Sequence, residues 1–182
     1  MKRLLLILFV GCLSVAAFAQ RPAMMFGDTS RIGVPYSKDP HVVNFKGNYL
    51  MYYSIPPLKG DPSSGWNIGI ARSKDLNNWT KVGEITPAPG ADYEKKGLCA
   101  PGALVKDGKV HLFYQTYGNG KDDAICHAVS QDGIHFDRNP TNPIFRPTGD
   151  WNCGRAIDAE VFELKGRYFL YFATRDKEYQ IQ

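Results

Sequence analysis

The frame S-K-D-P-H-V-V-N-F-K-G-N-Y-L-M-Y-Y-S at residues 37–54 recurs as A-I-D-A-E-V-F-E-L-K-G-R-Y-F-L-Y-F-A at residues 156–173. Asp39 aligns with Asp158, Gly47 with Gly166, Tyr49 with Tyr168 and Tyr52 with Tyr171. A third copy runs from Ala100 to Gly108, with alanine at the aspartate position. The copies start at 39, 100 and 158. A period of about 60 residues constrains the fold more than any other feature, because repeats at fixed spacing stack as equivalent units.

Each unit reads as short strands. Tyr and Phe fall in runs of four to eight residues broken by Gly, Pro, Asn and Asp, and no amphipathic stretch of helical length stands out. Asp107-Gly108 is a two-residue hairpin turn, and Lys46-Gly47 and Lys165-Gly166 hold the same place in the other copies. A second half follows in the first two units. Asn67–Ala71 leads to Ser73-Lys74-Asp75 and Trp79; Ala124–Ala128 leads to Ser130-Gln131-Asp132 and Phe136. Both read as a third strand, an S-x-D turn and a fourth strand carrying an aromatic residue. Four strands per repeat predict an all-β chain of β-propeller type, in which each blade buries its faces against its neighbours.

In such an architecture the first strand of each blade lines the central channel, so residues at its start converge at one mouth. The repeated aspartates are then candidates for a shared site. The structural alternative is a turn former, since Asp often bonds its side chain to the backbone two residues on. Recurrence in one frame, each time before an apolar strand, favours the site.

The chain opens M-K-R-L-L-L-I-L-F-V-G-C and reaches Ala17-Phe18-Ala19, the pattern of a secretory signal peptide cleaved before Gln20. Residues 1–19 are assigned to that leader, and the protein is expected to be secreted or periplasmic, with no membrane span. A lipidated Cys12 is the lesser alternative. Loss of Lys2 and Arg3 lowers the formal charge from +4 to +2, and the remaining lysines are scattered among acids. No nucleic-acid surface is indicated. Cys99, Cys126 and Cys153 remain, an odd number outside any CxxC pattern, and read as small core residues. The four histidines show no metal-ligand spacing, so no metal site is expected.

Lys38-Asp39-Pro40-His41-Val42, Ser73-x-Asp75-Leu76-x-x-Trp79, Ala100-Pro101 and Ala156-Ile157-Asp158 resemble, in order, the motifs of glycoside hydrolase family 43, and are similar to those of family 117. The early N-D-P-N-G of family-32 fructosidases is not present. The resemblance implies a five-bladed propeller and an inverting glycosidase that degrades oligosaccharides or polysaccharides. Asp39 would be the general base, and Asp158 the carboxylate that holds the acid and raises its pKa. His41 and Arg155 would bind sugar hydroxyls or orient a carboxylate. Trp66, Tyr117 and Trp151, with Tyr53, would stack on sugar faces, although each has an equally good core reading. The resemblance requires no cofactor; it allows calcium in the channel, but no ligand set here calls for it.

Three departures accompany the resemblance. Cys99 stands where Trp is common before Ala100. Ala159 replaces the frequent Pro after Asp158 and is followed by Glu160, a stand-in acid of lesser merit. The sequence ends at Gln182, within the third repeat. The expectation is therefore about two and a half of five blades: blade one about 33–94, blade two about 95–152, and the start of blade three at 153–182. The acid would lie in a following blade, so residues 20–182 would form a partial domain, inactive or weakly active. The alternatives are a non-catalytic carbohydrate-binding propeller fragment and an interaction scaffold. Arabinosides, xylosides, galactosides and anhydro-sugars remain equal as substrates at this point.

Overall fold

A computed structural model describes residues 26–178. The leader assigned to residues 1–19 lies outside the described residues. The first sheet contains β1 (Lys38–Phe45), β2 (Asn48–Ile55), β3 (Asn67–Ser73) and β4 (Trp79–Ile85), in that order. The second contains β5 (Leu98–Lys106), β6 (Lys109–Thr116), β7 (Ile125–Ser130) and β8 (Asp137–Arg138). The third pairs β9 (Ile157–Leu164) with β10 (Arg167–Ala173). All neighbouring strands are antiparallel. The only helical pieces among the described residues are three-residue 3-10 turns. The all-β expectation holds.

The hairpin turns are as read: Lys46-Gly47, Asp107-Gly108 and Lys165-Gly166 all have positive φ at both central residues, the twist that closes a two-residue hairpin. Ser73 and Ser130 accept from the backbone N–H groups two and three residues on, and Asp75 and Asp132 accept from those that follow. The fourth strand differs between copies. β4 starts at Trp79 as expected, but β8 is two residues long and Phe136 precedes it. The strand stops before Asn139-Pro140, since proline has no N–H to continue the ladder; Arg138 reaches into the interior to pair with buried Glu94, Nε to Oε1 at 2.8 Å.

The sheets stack like blades. β1 lies against β5, and β5 against β9. Between the first two sheets Phe45, Leu50, Tyr52, Ile68 and Ile70 pack with Leu98, Val110, Leu112 and Tyr114. Between the second and third, Ile125, Ala156 and Ala159 pack with Phe113, Phe145, Leu170 and Phe172. Met51, Tyr53, Ile55 and Ala71 of the first sheet form a further cluster, against which Phe26 and Trp79 pack. Gly102 on β5 lets the inner strands close up: a Cβ there would sit 2.3 Å from the Ala159 carbonyl oxygen.

Candidate active site

The three repeat starts share one backbone device. On β1, Lys38 faces Ser54 and His41 faces Tyr52, so three steps oppose two. The same slip occurs between Cys99 and Gly102 on β5, and between Ile157 and Glu160 on β9. Each is a β-bulge holding one extra residue. Asp39, Ala100 and Asp158 occupy it at φ 51, 47 and 53. Left-handed backbone at a residue with a Cβ is uncommon and costs about 1–2 kcal/mol. Its threefold recurrence makes it a built feature of the inner strand, because a bulge re-aims the side chain that follows the strand entrance.

The second and third bulges are each tied down from the preceding blade. Ser54 Oγ accepts the Ala100 N–H at 2.8 Å, and Gln115 Oε1 accepts the Asp158 N–H at 2.9 Å. Ser54 and Gln115 stand equally far after Asp39 and Ala100, so one position on the second strand serves the next blade each time. Ser54 also donates to Asp39 Oδ2 at 3.1 Å. The Asp39 carboxylate further lies 3.5 Å from Lys38 Nζ. Neither contact is the backbone bond of a turn former; Asp75 and Asp132 perform that task elsewhere. Sequence reasoning missed Ser54 and Gln115, which nothing but their matching place in the repeat could have singled out.

Asp158 is raised above the usual carboxylate range, first by burial and then by the negative charge of Asp39, with Lys38 and Arg155 working against this. The two aspartates therefore share one electrostatic site. Cys99 lies in the same field: burial, then Asp39 and Asp158, push its thiol up to about 12, so it is a neutral wall of the site. Cys99, Cys126 and Cys153 are unpaired, and the first two are buried.

His41, Gly102 and Glu160 are equivalent positions, each two residues past the bulge start. Because Gly102 has no side chain, His41 from β1 and Glu160 from β9 meet over β5, Nδ1 to Oε2 at 3.3 Å. Glu160 is thus engaged with His41. Arg155 donates from Nε to buried Asp123 at 3.2 Å and its charge reaches Asp158. Trp66 packs edge-on to Tyr36 and tilted to Tyr117, with centroids 5.9 and 5.7 Å away. Trp151 is 61% exposed and joins no ring pair among the described residues. Tyr53 is fully buried and donates to Asp28 at 2.9 Å, which removes it from the sugar-stacking candidates. No group of three or more His, Cys, Asp or Glu side chains suited to a metal ion occurs among the described residues. No helix among them is long and apolar enough to cross a membrane.

The fold has counterparts among solved structures. A family 117 glycoside hydrolase, Zg3597 from the marine bacterium Zobellia galactanivorans, superposes with a TM-score of 0.64 at 20% identity, over 79% of this chain and 49% of its own. The Bombyx mori GH32 beta-fructofuranosidase BmSUC1 gives a TM-score of 0.65 at 19% identity, over 80% of this chain and 31% of its own. These are β-propeller glycosidases, and the likeness shows the fold. In sequence, the chain is 33% identical over 145 residues to the sucrose-6-phosphate hydrolase of Bacillus subtilis, covering 75% of this chain and 29% of that enzyme. The chain thus spans under a third of the length of this relative.

The likeness to family 43 holds at the level of the five-bladed fold, but the family itself is another. Of N-D-P-N-G the chain keeps the central Asp39-Pro40, the pair that forms the bulge, while Lys38, His41 and Val42 replace the flanking residues. Those flanks hid the kinship from motif reading. The family model described as "Glycosyl hydrolases family 32 N-terminal domain" matches residues 36–182, and the chain belongs to that family.

Proposed function

We propose that this chain forms part of a glycoside hydrolase acting on sucrose-type glycosides, with Asp39 and Asp158 at its centre. The observation that carries the reading is their equivalence: both occupy the same bulge on the two inner strands that flank β5, and the charge of one reaches the other. Glycosidases hydrolyse through an oxocarbenium-like transition state served by paired carboxylates. Asp39, oriented by the Ser54 hydroxyl and Lys38, acts at the sugar carbon. It attacks that carbon directly or takes a proton from the attacking water; both courses use an ionised carboxylate in this position. Asp158 is the neighbouring carboxylate that orients the sugar and tunes the group that protonates the leaving oxygen. Trp66 and Tyr117 offer ring faces at the rim, and Arg155 offers hydrogen bonds beside Asp158.

The sucrose-type substrate is supported by the name of the Bacillus subtilis relative and by the BmSUC1 structure described in complex with sucrose. It replaces the wider set of pentosides and galactosides. The basic start, apolar run and Ala17-Phe18-Ala19 support export with cleavage before Gln20; mass spectrometry of the exported protein should find Gln20 first, and an N-terminal Met1 would overturn this.

The enzymatic reading is tested on the protein carrying this chain, with sucrose and sucrose 6-phosphate as substrates. Release of hexose should fall by about 10²–10⁴-fold in Asp39→Asn, with sugar binding retained. Unaltered release would remove Asp39 from the chemistry. Binding without release by the unsubstituted protein would favour a carbohydrate-binding module. NMR of the first anomer formed reads the stereochemical course.

A further inference from the structure

His111 on β6 and His127 on β7 stand ring to ring. Their planes differ by 11°, their centroids are 5.3 Å apart, and His111 Nδ1 lies 3.1 Å from His127 Nε2. Phe113 shares the strand face of His111 and stacks on His127 at 4.8 Å. It also packs with Leu170 and Phe172, so this face is the one turned toward the third sheet. We propose that the imidazole pair is an acid-sensitive latch: neutral, it holds the segment 139–145 and, through it, the third sheet against the second; protonated, it lets both loosen. The proposal goes beyond the glycosidase reading and does not depend on it.

The hydrogen bonds fix where the protons sit. Asn139 Oδ1 accepts the Thr141 N–H at 2.9 Å and the Thr141 hydroxyl at 2.8 Å. The amide nitrogen of Asn139 is therefore the end that faces His127 Nδ1, at 3.3 Å. An amide N–H only donates, so His127 Nδ1 accepts and that ring carries its proton on Nε2. The Nε2–H then donates to His111 Nδ1, which leaves the His111 proton on its own Nε2. Both nitrogens able to take a further proton are thus already acceptors. A proton on His127 Nδ1 would face the Asn139 NH₂, and one on His111 Nδ1 would face the His127 N–H. Either gain breaks a link of the chain, and two imidazolium rings this close repel. The surroundings act in the same sense. Burial first, then Lys106 and Lys109 with Asp107 opposing, hold His111 below its ordinary range; burial, then His111, do so for His127. The segment 139–142 contributes only uncharged residues. On the third sheet, Tyr168 lies under Lys106 Nζ at 4.7 Å and its hydroxyl donates to Glu163 at 3.4 Å, so the Glu163 acid on this side is already engaged.

The segment held by the pair reaches the third sheet. The Asn139 N–H donates to the His127 carbonyl at 2.9 Å, and the Asn142 side chain bonds both the N–H and the carbonyl of His127, each at 2.9 Å. Further along, the N–H groups of Ile144 and Phe145 donate to the Ile125 carbonyl at 2.9 and 3.2 Å. Ile144 and Phe145 then pack with Leu170 and Phe172, the rings of Phe145 and Phe172 being 4.7 Å apart. The same sheet carries Asp158 at the start of β9, so loosening the segment loosens the seating of the candidate site. The sign follows from the lowered midpoints. The open chain takes up protons at about pH 6.5, before the closed one does. The latch is therefore complete above about pH 6.5 and weakens below it, the closed-to-open ratio falling about tenfold per pH unit for each proton gained.

The test is NMR and hydrogen exchange on the protein carrying this chain. At about pH 8 the ¹⁵N shifts should show both rings protonated on Nε2 alone, and both midpoints should lie below about 6.5. Between about pH 7.5 and about pH 5.5, protection of the Ile144 and Phe145 amides, corrected for intrinsic rate, should drop about tenfold or more while that of the β2 and β3 amides holds. Asn139→Asp keeps the acceptor for Thr141 and turns a carboxylate oxygen toward His127. It should raise the His127 midpoint above about 6.5, so that mild acid tightens the segment instead. If that variant does not fold, His127→Phe keeps a ring against Phe113 and should abolish the acid response. An Nδ1–H tautomer at His127, or midpoints at or above about 6.5 in the unsubstituted protein, would overturn the latch. So would an equal acid loss of protection in the first sheet, or an acid response that survives either substitution. None of these readouts uses turnover, so failed hydrolysis counts against the glycosidase reading alone.

Discussion

Ser54 Oγ donates to Asp39 Oδ2 at 3.1 Å while accepting the Ala100 N–H at 2.8 Å. One hydroxyl thus joins the candidate catalytic carboxylate of the first blade to the bulge of the second. Ser54 is fully buried. Ser54→Ala should leave the Ala100 N–H buried without its partner and cost about 1–3 kcal/mol in urea unfolding. Ser54→Thr keeps the hydroxyl and should recover most of the loss if the added methyl is accommodated. A neutral Ser54→Ala would show that water replaces the hydroxyl and that the link is dispensable.

Ala100 tests the bulge itself. It holds φ 47 without any carboxylate to justify the conformation. Ala100→Gly removes the steric cost of left-handed backbone and should raise stability by about 1 kcal/mol, reduced by the greater freedom of glycine when unfolded. Destabilisation by more than about 1 kcal/mol would contradict the strained-bulge account.

Gly102 should tolerate nothing larger. A methyl there meets the Ala159 carbonyl oxygen at 2.3 Å, and that oxygen belongs to a neighbouring strand rather than a flexible side chain. Gly102→Ala should cost about 1–3 kcal/mol by overpacking and should part His41 from Glu160. Thermal unfolding measures the first effect, and the loss of the His41–Glu160 side-chain contact in NMR measures the second. An unchanged melting temperature would show that the inner strands are not in close contact.

The repeat period, hairpin turns, S-x-D turns and paired aspartates are all visible in the chain because each is written in local residue types. The bulge was half visible: a proline follows the bulge residue twice, as Pro40 and Pro101, but the slip in register shows only once the second strand is laid alongside. Ser54 was hidden because its partner is 46 residues away in the next blade. The meeting of His41 with Glu160 was hidden for a different reason. It depends on the missing side chain of Gly102 and on the order of three blades, neither of which any one repeat contains. Tyr53 was misjudged because an aromatic residue near the end of an inner hairpin reads alike whether it faces sugar or core; the buried Asp28 that receives its hydroxyl comes from outside the repeat. The short β8 was missed because the aromatic at Phe136 drew attention to a strand that Pro140 cuts short.

The central claim is that Asp39 and Asp158 form one site, and the titration of Asp158 tests it most directly. Its folded pKa is raised, so ionising it costs stability once pH exceeds that value, and the cost vanishes below the unfolded carboxylate pKa of about 3.9. Asp158→Asn should therefore stabilise the protein at neutral pH and lose that advantage in acid. The decisive measurement is the ¹³C carboxyl titration of Asp158 with and without Asp39→Asn. Removing the charge of Asp39 should move the Asp158 midpoint downward, with burial still holding it above the ordinary range. A midpoint that stays in place would show that the two repeated aspartates stand apart and serve no common site.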